Sequence, residues 1–144
     1  GIDTIFVQDN QSYSQKGVIR GLHFQRPPFA QAKLVRVIKG KVLDVAVDIR
    51  KGSPTYGQHY SVLLTGDNHR QFFIPEGFAH GFVALEDNSI FTYKCSQFYH
   101  KEAEMSIRYN DPILNIDWGL DEAPIMTEKD LCGVLFDQFN TPFE

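Results

Sequence analysis

Short apolar runs separated by turn residues recur along the chain, and this pattern constrains the fold more than any other feature. Apolar runs that return about every 8–12 residues are typical of β-sandwiches, barrels and jelly rolls. The 12 Phe, 6 Tyr and 1 Trp residues favour the same β structure. We therefore predict an all-β jelly-roll barrel or sandwich, in a single domain over residues 1–144. The predicted strands cover residues 4–8, 18–24, 34–38, 42–49, 58–64, 70–74, 81–85 and 89–99.

Two of these strands carry more specific expectations. Segment 42–48 is apolar at most positions and alternates only in part, which is typical of a strand covered on both faces. Lys39-Gly40-Lys41 has the composition of a tight turn. Segments 34–38 and 42–49 are therefore predicted to pair as a hairpin.

The C-terminal part of the chain has a different pattern. Asn110-Asp111-Pro112 interrupts the strand spacing, and Thr127 precedes Glu128-Lys129-Asp130 and a short apolar stretch. A threonine in that position is a favourable helix N-cap. We predict a short helical segment that begins at Thr127.

Composition excludes several classes of function. The formal charge is −4 and no run of Lys or Arg is present, which argues against nucleic-acid binding through a basic face. An anionic small-molecule substrate stays possible, because local Arg and Lys residues can differ in sign from the whole chain. No apolar run reaches the roughly 18 residues of a membrane span. Cys95 and Cys132 lack CxxC spacing, so we expect a reduced chain in the cytoplasm.

Two histidines stand where a surface imidazole is not expected. His23 lies in Gly21-Leu22-His23-Phe24, and His80 lies in Gly77-Phe78-Ala79-His80-Gly81. Both are predicted to face the inside of the barrel, as bases, metal ligands or buried structural groups. If the strand predicted over residues 18–24 is regular, Arg20 and Leu22 share one face of it while Gly21 and His23 share the other. The glycine beside His23 would then leave room for a ligand.

Metal binding is the least supported of these uses. Pro75-x-Gly77-x-x-His80 resembles the second motif of cupin jelly rolls. Metal-binding cupins add a His-x-His pair and a Glu in their first motif, whereas this chain has only His23, and Gln25 stands at the second histidine position. Because tight Zn or Fe sites need three or more protein ligands, we expect no metal.

A family resemblance covers essentially the whole chain. Six segments in this order resemble the dTDP-4-dehydrorhamnose 3,5-epimerase family, a cupin-type group of deoxysugar-biosynthesis enzymes: residues 6–10, 17–25, 33–36, 44–50, 53–57 and 74–82. The resemblance implies an isomerase that uses no cofactor and no metal and forms a homodimer. It implies a dTDP-4-keto-6-deoxyhexose substrate, epimerised at C3 and C5 through enolates, for dTDP-L-rhamnose or a related sugar.

The resemblance also implies roles for individual residues. His23 matches the catalytic base, Tyr93 the proton donor and Lys33 the group beside the enolate oxygen. Asp130 matches the carboxylate that supports the histidine. The implied substrate-binding residues are Arg20, Gln8, Asn10, His80, Tyr99 and Asp44, with Arg20 assigned to the diphosphate.

Each catalytic assignment has a second interpretation from the sequence alone. Asp130 stands three residues after Thr127 and fits a helix cap. Tyr93 fits a core tyrosine, and Lys33 fits a surface charge at a strand start.

The resemblance leaves other functions open. The alternatives are an epimerase restricted to C3 or C5, a ketoisomerase, a non-catalytic sugar-nucleotide-binding cupin and a metal-dependent cupin oxygenase. Members of the family usually carry a further N-terminal segment that contributes to the dimer and to nucleotide binding, and we expect it to be missing here.

Overall fold

Two antiparallel sheets pack face to face in a computed structural model that describes residues 1–144. The four-stranded sheet has the order β1–β8–β3–β6, and the five-stranded sheet has the order β5–β4–β7–β2–β9. The strands are β1 Gln8–Ser14, β2 Ile19–Gln25, β3 Lys33–Lys39, β4 Lys41–Asp48, β5 His59–Thr65, β6 Gln71–Ile74, β7 Phe78–Ala84, β8 Ser89–Cys95 and β9 Glu104–Ser106. The helix α1 is Glu128–Leu131, and Lys101–Ala103 and Phe136–Gln138 form 3-10 turns.

The predicted all-β class with a short C-terminal helix is confirmed, and Thr127 caps α1 as expected. Seven of the eight predicted strands overlap observed ones over most of their length. The strand predicted over residues 4–8 is wrong, because β1 begins only at Gln8. Its sequence QDNQSYS has no apolar residue except Tyr13, so hydrophobic alternation gives no signal there. Pairing with β8 defines this strand instead.

The predicted hairpin is also wrong. β3 pairs with β6 and β8, whereas β4 pairs with β5 and β7 in the other sheet. Gly40 makes the corner between them with φ of +92°, and a Cβ there would lie 2.3 Å from the Ser89 hydroxyl oxygen. A tight turn therefore carries the chain from one sheet to the other, which turn composition alone cannot distinguish from a hairpin.

β4 is covered on both faces, as its apolar sequence predicts. Val42 and Ala46 belong to the core between the sheets. Val45 and Val47 belong to a second core, where the C-terminal segment packs on the outer face of the five-stranded sheet. That second core includes Ile107, Leu114, Trp118 and Phe139. Side chains of β2, β7 and β9 in the five-stranded sheet line a cleft between the two sheets.

Neither α1 nor the 3-10 turns have the length and apolarity that a membrane-spanning helix requires.

The fold makes a test of strand packing possible at Gly21. A Cβ at this position would lie 2.6 Å from the Gly81 Cα, and φ is +125°. Gly21→Ala should therefore lower the free energy of unfolding by about 3 kcal/mol or more, since neither backbone can move away. Gly119 has a similar φ of +71° with nothing within 4 Å, so Gly119→Ala should cost only about 1 kcal/mol. Urea denaturation of both variants checks the difference, and equal losses would contradict the packing argument.

Candidate active site

A cleft of about 380 Å³ opens between the two sheets. Its lining includes eight of the ten site residues that the sequence predicts: Gln8, Asn10, Arg20, His23, Lys33, His80, Tyr93 and Tyr99. The other two, Asp44 and Asp130, lie behind the cleft wall and contact its histidines. All ten predicted residues are therefore gathered at one place, although they come from six strands, a loop and a helix.

The strand that carries His23 is irregular. The pairing of β2 with β7 shifts register between Arg20 and His23. As a result, Arg20 and His23 both line the cleft, while Leu22 packs in the outer core. The prediction that Arg20 and His23 face opposite ways is wrong, because it assumed regular alternation.

Gly21 does not enlarge the cleft, contrary to the sequence-based expectation. The space that its side chain would fill is occupied by the backbone of His80 and Gly81. Its missing Cβ lets β2 and β7 approach closely, which is a second use of glycine in strands.

His23 forms a short hydrogen bond with Asp130. Its Nε2 lies 2.5 Å from Asp130 Oδ1, and the other carboxylate oxygen accepts a hydrogen bond from the Gly21 amide at 3.2 Å. An ionised carboxylate only accepts, so Nε2 carries the hydrogen and Nδ1 keeps a free lone pair. The contact thereby sets the tautomer of a partly exposed imidazole, which is the arrangement that a general base needs.

The charge state of Asp130 follows from its contacts. Burial by itself raises the pKa of this carboxyl, but hydrogen bonds from His23 and Gly21 and the charge of Lys129 outweigh burial and hold the pKa below its usual value. Asp130 is therefore ionised at neutral pH.

Asp130 makes both of the contacts that its two interpretations predict. The Thr127 hydroxyl accepts a hydrogen bond from the Asp130 amide at 3.3 Å, so the backbone of Asp130 belongs to the helix cap. The side chain of Asp130 points away from the cap and contacts His23. The N-cap thus orients the carboxylate toward β2.

A second histidine–carboxylate pair lies beside the first. His80 is the cross-strand neighbour of His23, and its Nε2 lies 2.8 Å from Asp44 Oδ2. Burial lowers the pKa of His80 and outweighs the charge and hydrogen bond of Asp44, which act to raise it. Burial raises the pKa of Asp44, although His80 and Lys33 counteract it. His80 is therefore neutral at pH 7, and a hydrogen bond joins its Nε2 to Asp44 Oδ2.

The opposite wall of the cleft carries Lys33 and Tyr93. Lys33 Nζ lies 5.8 Å from the centre of the Tyr93 ring. Burial lowers the pKa of Lys33, while Cys95 and Asp44 oppose that shift. Burial also raises the pKa of Tyr93, with Arg20 acting against it, so the phenol keeps its proton at neutral pH. One wall thus holds a proton acceptor, and the facing wall holds a proton donor and a half-buried amine.

Several residues that line the cleft are not predicted by the sequence. Glu104 on β9 lines the cleft, and its carboxylate pairs with Lys129 on α1 and accepts a hydrogen bond from the Tyr99 hydroxyl. No local pattern marks Glu104, since its position depends on β9 pairing with β2. Other unpredicted lining residues are Ser12, Phe24, Gln25, Gln31, Phe82 and Cys95.

No group of three or more His, Cys, Asp or Glu side chains in the structure is arranged to hold a metal ion. Each cleft histidine turns its Nε2 to a single carboxylate.

Comparisons with known proteins give a consistent result. Residues 1–138 match the family model described as dTDP-4-dehydrorhamnose 3,5-epimerase. The enzyme of that name from Methanothermobacter thermautotrophicus is 54% identical over 132 residues, which are 90% of this chain and 71% of the relative.

Solved structures agree with the sequence comparison. The crystal structure of dTDP-6-deoxy-D-glucose-3,5-epimerase from Legionella pneumophila, in complex with dTDP-4-keto-L-rhamnose, superposes with a TM-score of 0.93 at 54% identity, covering 96% of this chain and 73% of that one. The dTDP-4-dehydrorhamnose 3,5-epimerase from Elizabethkingia anophelis superposes with a TM-score of 0.93 at 50% identity, covering 95% and 75%.

The protonation state of His80 predicts a pH-dependent stability. In the unfolded chain a histidine takes up a proton near pH 6.5, whereas the lowered pKa keeps native His80 neutral there. The free energy of unfolding should therefore fall as pH decreases from 8 through 6.5, until the pH reaches the native pKa. His80→Gln should reduce this slope by up to about 1.4 kcal/mol per pH unit.

Urea denaturation at several pH values measures the slope for wild type and for His80→Gln. His59 is exposed on β5, so His59→Gln serves as the control and should leave the slope unchanged. An unchanged slope in His80→Gln would show that native His80 is protonated like the unfolded residue.

Proposed function

The chain belongs to the dTDP-4-dehydrorhamnose 3,5-epimerase family, and we propose that its cleft epimerises dTDP-4-keto-6-deoxyglucose at C3 and C5 with His23 as the base. The protein is an isomerase of the epimerase class. The product of the proposed reaction is dTDP-4-dehydro-L-rhamnose, an intermediate for dTDP-L-rhamnose or a related deoxysugar.

The opposite placement of His23 and Tyr93 is the observation that carries this proposal. His23 belongs to the five-stranded sheet and Tyr93 to the four-stranded sheet, and both side chains line the cleft between them. Inversion at carbon needs a base on one face of the sugar and an acid on the other. A sugar ring bound between the sheets would present one face to each group.

The chemistry of the substrate explains the rest of the site. A ketone at C4 acidifies the hydrogens on C3 and C5, and removal of either gives an enolate with its charge on the C4 oxygen. Lys33 is a half-buried amine in the wall that faces His23. A cation in a poorly solvated site stabilises such an oxyanion far more than it would in water.

Two carboxylates support the proposed proton transfers. Asp130 accepts the Nε2 hydrogen of His23, leaves Nδ1 free to remove the substrate proton and stabilises the imidazolium that forms. Burial keeps His80 neutral, and we propose that Asp44 accepts its Nε2 hydrogen, so that Nδ1 of His80 can accept a hydrogen bond from a sugar hydroxyl.

Arg20 is the proposed contact for the diphosphate. Its Nε donates to the Ser14 hydroxyl at 3.3 Å, while the guanidinium lines the cleft and is available for phosphate oxygens. Gln8, Asn10 and Tyr99 line the same cleft and are proposed to contact the nucleotide or the sugar. The overall charge of −4 does not oppose this, because the cleft itself contains Arg20 and Lys33.

We further propose that the reaction needs no cofactor and that the chain forms a homodimer, as the family resemblance implies. β1 is an edge strand of the four-stranded sheet, and the exposed apolar side chains of Ile2, Ile5 and Val7 precede it. An exposed edge of this kind favours pairing with another chain. Sedimentation equilibrium would separate a monomer of 16.5 kDa from a dimer of twice that mass.

The decisive experiment follows deuterium incorporation. Proton NMR of the protein with dTDP-4-keto-6-deoxyglucose in D₂O should show exchange at both C3 and C5. His23→Asn should reduce exchange at both carbons at least about 10²-fold, because asparagine cannot accept the proton that the base removes. His59→Asn, at an exposed position on β5, is the matched control and should exchange like wild type.

The other outcomes of this experiment are informative. Exchange at one carbon only would identify an epimerase restricted to C3 or C5. Binding of dTDP without exchange would identify a sugar-nucleotide-binding protein. Full exchange in His23→Asn would show that His23 is not the base.

Tyr93→Phe should separate proton removal from inversion. The variant keeps the base but loses the acid on the opposite wall, so the enolate is reprotonated from the side of His23. Deuterium should enter the substrate within a few-fold of the wild-type rate, while formation of inverted product falls about 10²-fold or more. NMR follows both signals in one sample, with Tyr60→Phe as the control because Tyr60 is 70% exposed and does not line the cleft. Unchanged product formation would mean that Tyr93 is not the acid.

A further inference from the structure

We propose that Gln25 is a positioning residue that holds Tyr99 in place as one wall of the ligand cleft. The inference rests on the proposed function, and it concerns how that cleft keeps its shape. Gln25 lies on β2 two residues after His23, and only 3% of it is exposed.

The amide of Gln25 bonds entirely to backbone groups. Its Nε2 donates to the Phe29 carbonyl at 2.8 Å and to the Phe98 carbonyl at 3.2 Å. Its Oε1 accepts from the His100 amide at 2.8 Å. Both amide hydrogens and the oxygen are therefore used to join the loop after β2 to the loop after β8.

These bonds converge on Tyr99. Phe98 and His100 are the two neighbours of Tyr99 in the chain, so Gln25 fixes the backbone on both sides of it. The Tyr99 amide itself donates to Gln8 Oε1 at 3.0 Å. The main chain of this one residue is thus held at three adjacent points.

The side chain of Tyr99 has few contacts of its own. It is 50% exposed, it lines the cleft, and its hydroxyl makes one long hydrogen bond of 3.4 Å to Glu104. No aromatic ring packs against it, whereas neighbouring His100 stacks on Phe29 at 3.7 Å between ring centres. Because packing does not hold the ring, its position depends on the anchored backbone, and Gln25 supplies most of that anchoring.

This arrangement predicts an effect on binding and not on chemistry. Gln25 contacts neither His23 nor Asp130 through its side chain, so its loss should leave proton transfer intact. A mobile Tyr99 must be ordered when ligand binds, and that ordering weakens affinity. Gln25→Leu should raise KM and the Kd for dTDP about 10-fold and change kcat less than about 2-fold.

A double-mutant cycle tests whether Gln25 acts through Tyr99. If it does, Tyr99→Leu removes the group that Gln25 positions, and adding Gln25→Leu should weaken dTDP binding by no more than about 2-fold further. Gln11→Leu, at an exposed position on β1, is the matched control and should bind like wild type. Additive losses, an unchanged Kd in Gln25→Leu, or a fall in kcat at constant KM would overturn the proposal.

Gln25→Glu keeps the experiment decisive if Gln25→Leu does not fold. The new carboxylate can still accept from the His100 amide but faces two carbonyls without a hydrogen to donate. Protonation restores one donor, so the ratio of its Kd to that of wild type should rise as pH increases. A ratio of one at every pH would reject the positioning role.

The outcome separates this inference from the proposed function. A wild-type protein that fails to bind dTDP or to exchange substrate hydrogens would contradict the function itself. Wild-type binding that Gln25→Leu retains in full would contradict only the role of Gln25.

Discussion

Asp130 accepts hydrogen bonds from two residues of β2, and this contact ties the C-terminal segment to the wall that carries His23. His23 and Asp130 are 107 residues apart in sequence, so the contact exists only if the C-terminal segment is already docked. Docking is achieved by the outer core, in which Trp118 and Phe139 pack on the five-stranded sheet. Hydrophobic burial on the outside of the sheet thereby determines the geometry of an ionisable pair on the inside.

The second constraint on the site is that its ionisable groups need partners of opposite charge in a poorly solvated interior. The cleft places two histidines and a lysine in an interior where an unpaired charge is costly. Each histidine is accompanied by a carboxylate, and Lys33 lies near enough to Asp44 for each to shift the pKa of the other. Asp44 Oδ1 has no hydrogen-bond partner, and the nearby Lys33 counteracts part of the rise that burial causes in the pKa of Asp44. These couplings keep basic and acidic groups available at neutral pH within a poorly solvated space.

The fold class was predictable because its signals are local. Apolar runs and turn residues identified seven of nine strands, and Thr127 identified the helix. β1 was missed because its inward side chains, among them Gln8 and Asn10, are polar and line the cleft. β9 has three residues and no pattern of its own, and it exists through pairing with β2. The turn at Gly40 was recognised, yet its composition does not reveal which sheet the next strand joins.

The sequence by itself determined which chemical groups are available, since His23, His80, Lys33, Tyr93 and Asp130 stand in a recognisable order of motifs. Tertiary structure decided how they meet. A register shift in β2 turns Arg20 to the same side as His23, and sheet packing sets Tyr93 opposite His23. The assignments of Glu104 to the cleft and of Gln25 to the support of Tyr99 also depend on long-range contacts. Residue types and their local spacing can be read from the sequence. The side of a strand on which each side chain lies, the register of strand pairs and the contacts between distant loops are determined only when the two sheets pack together.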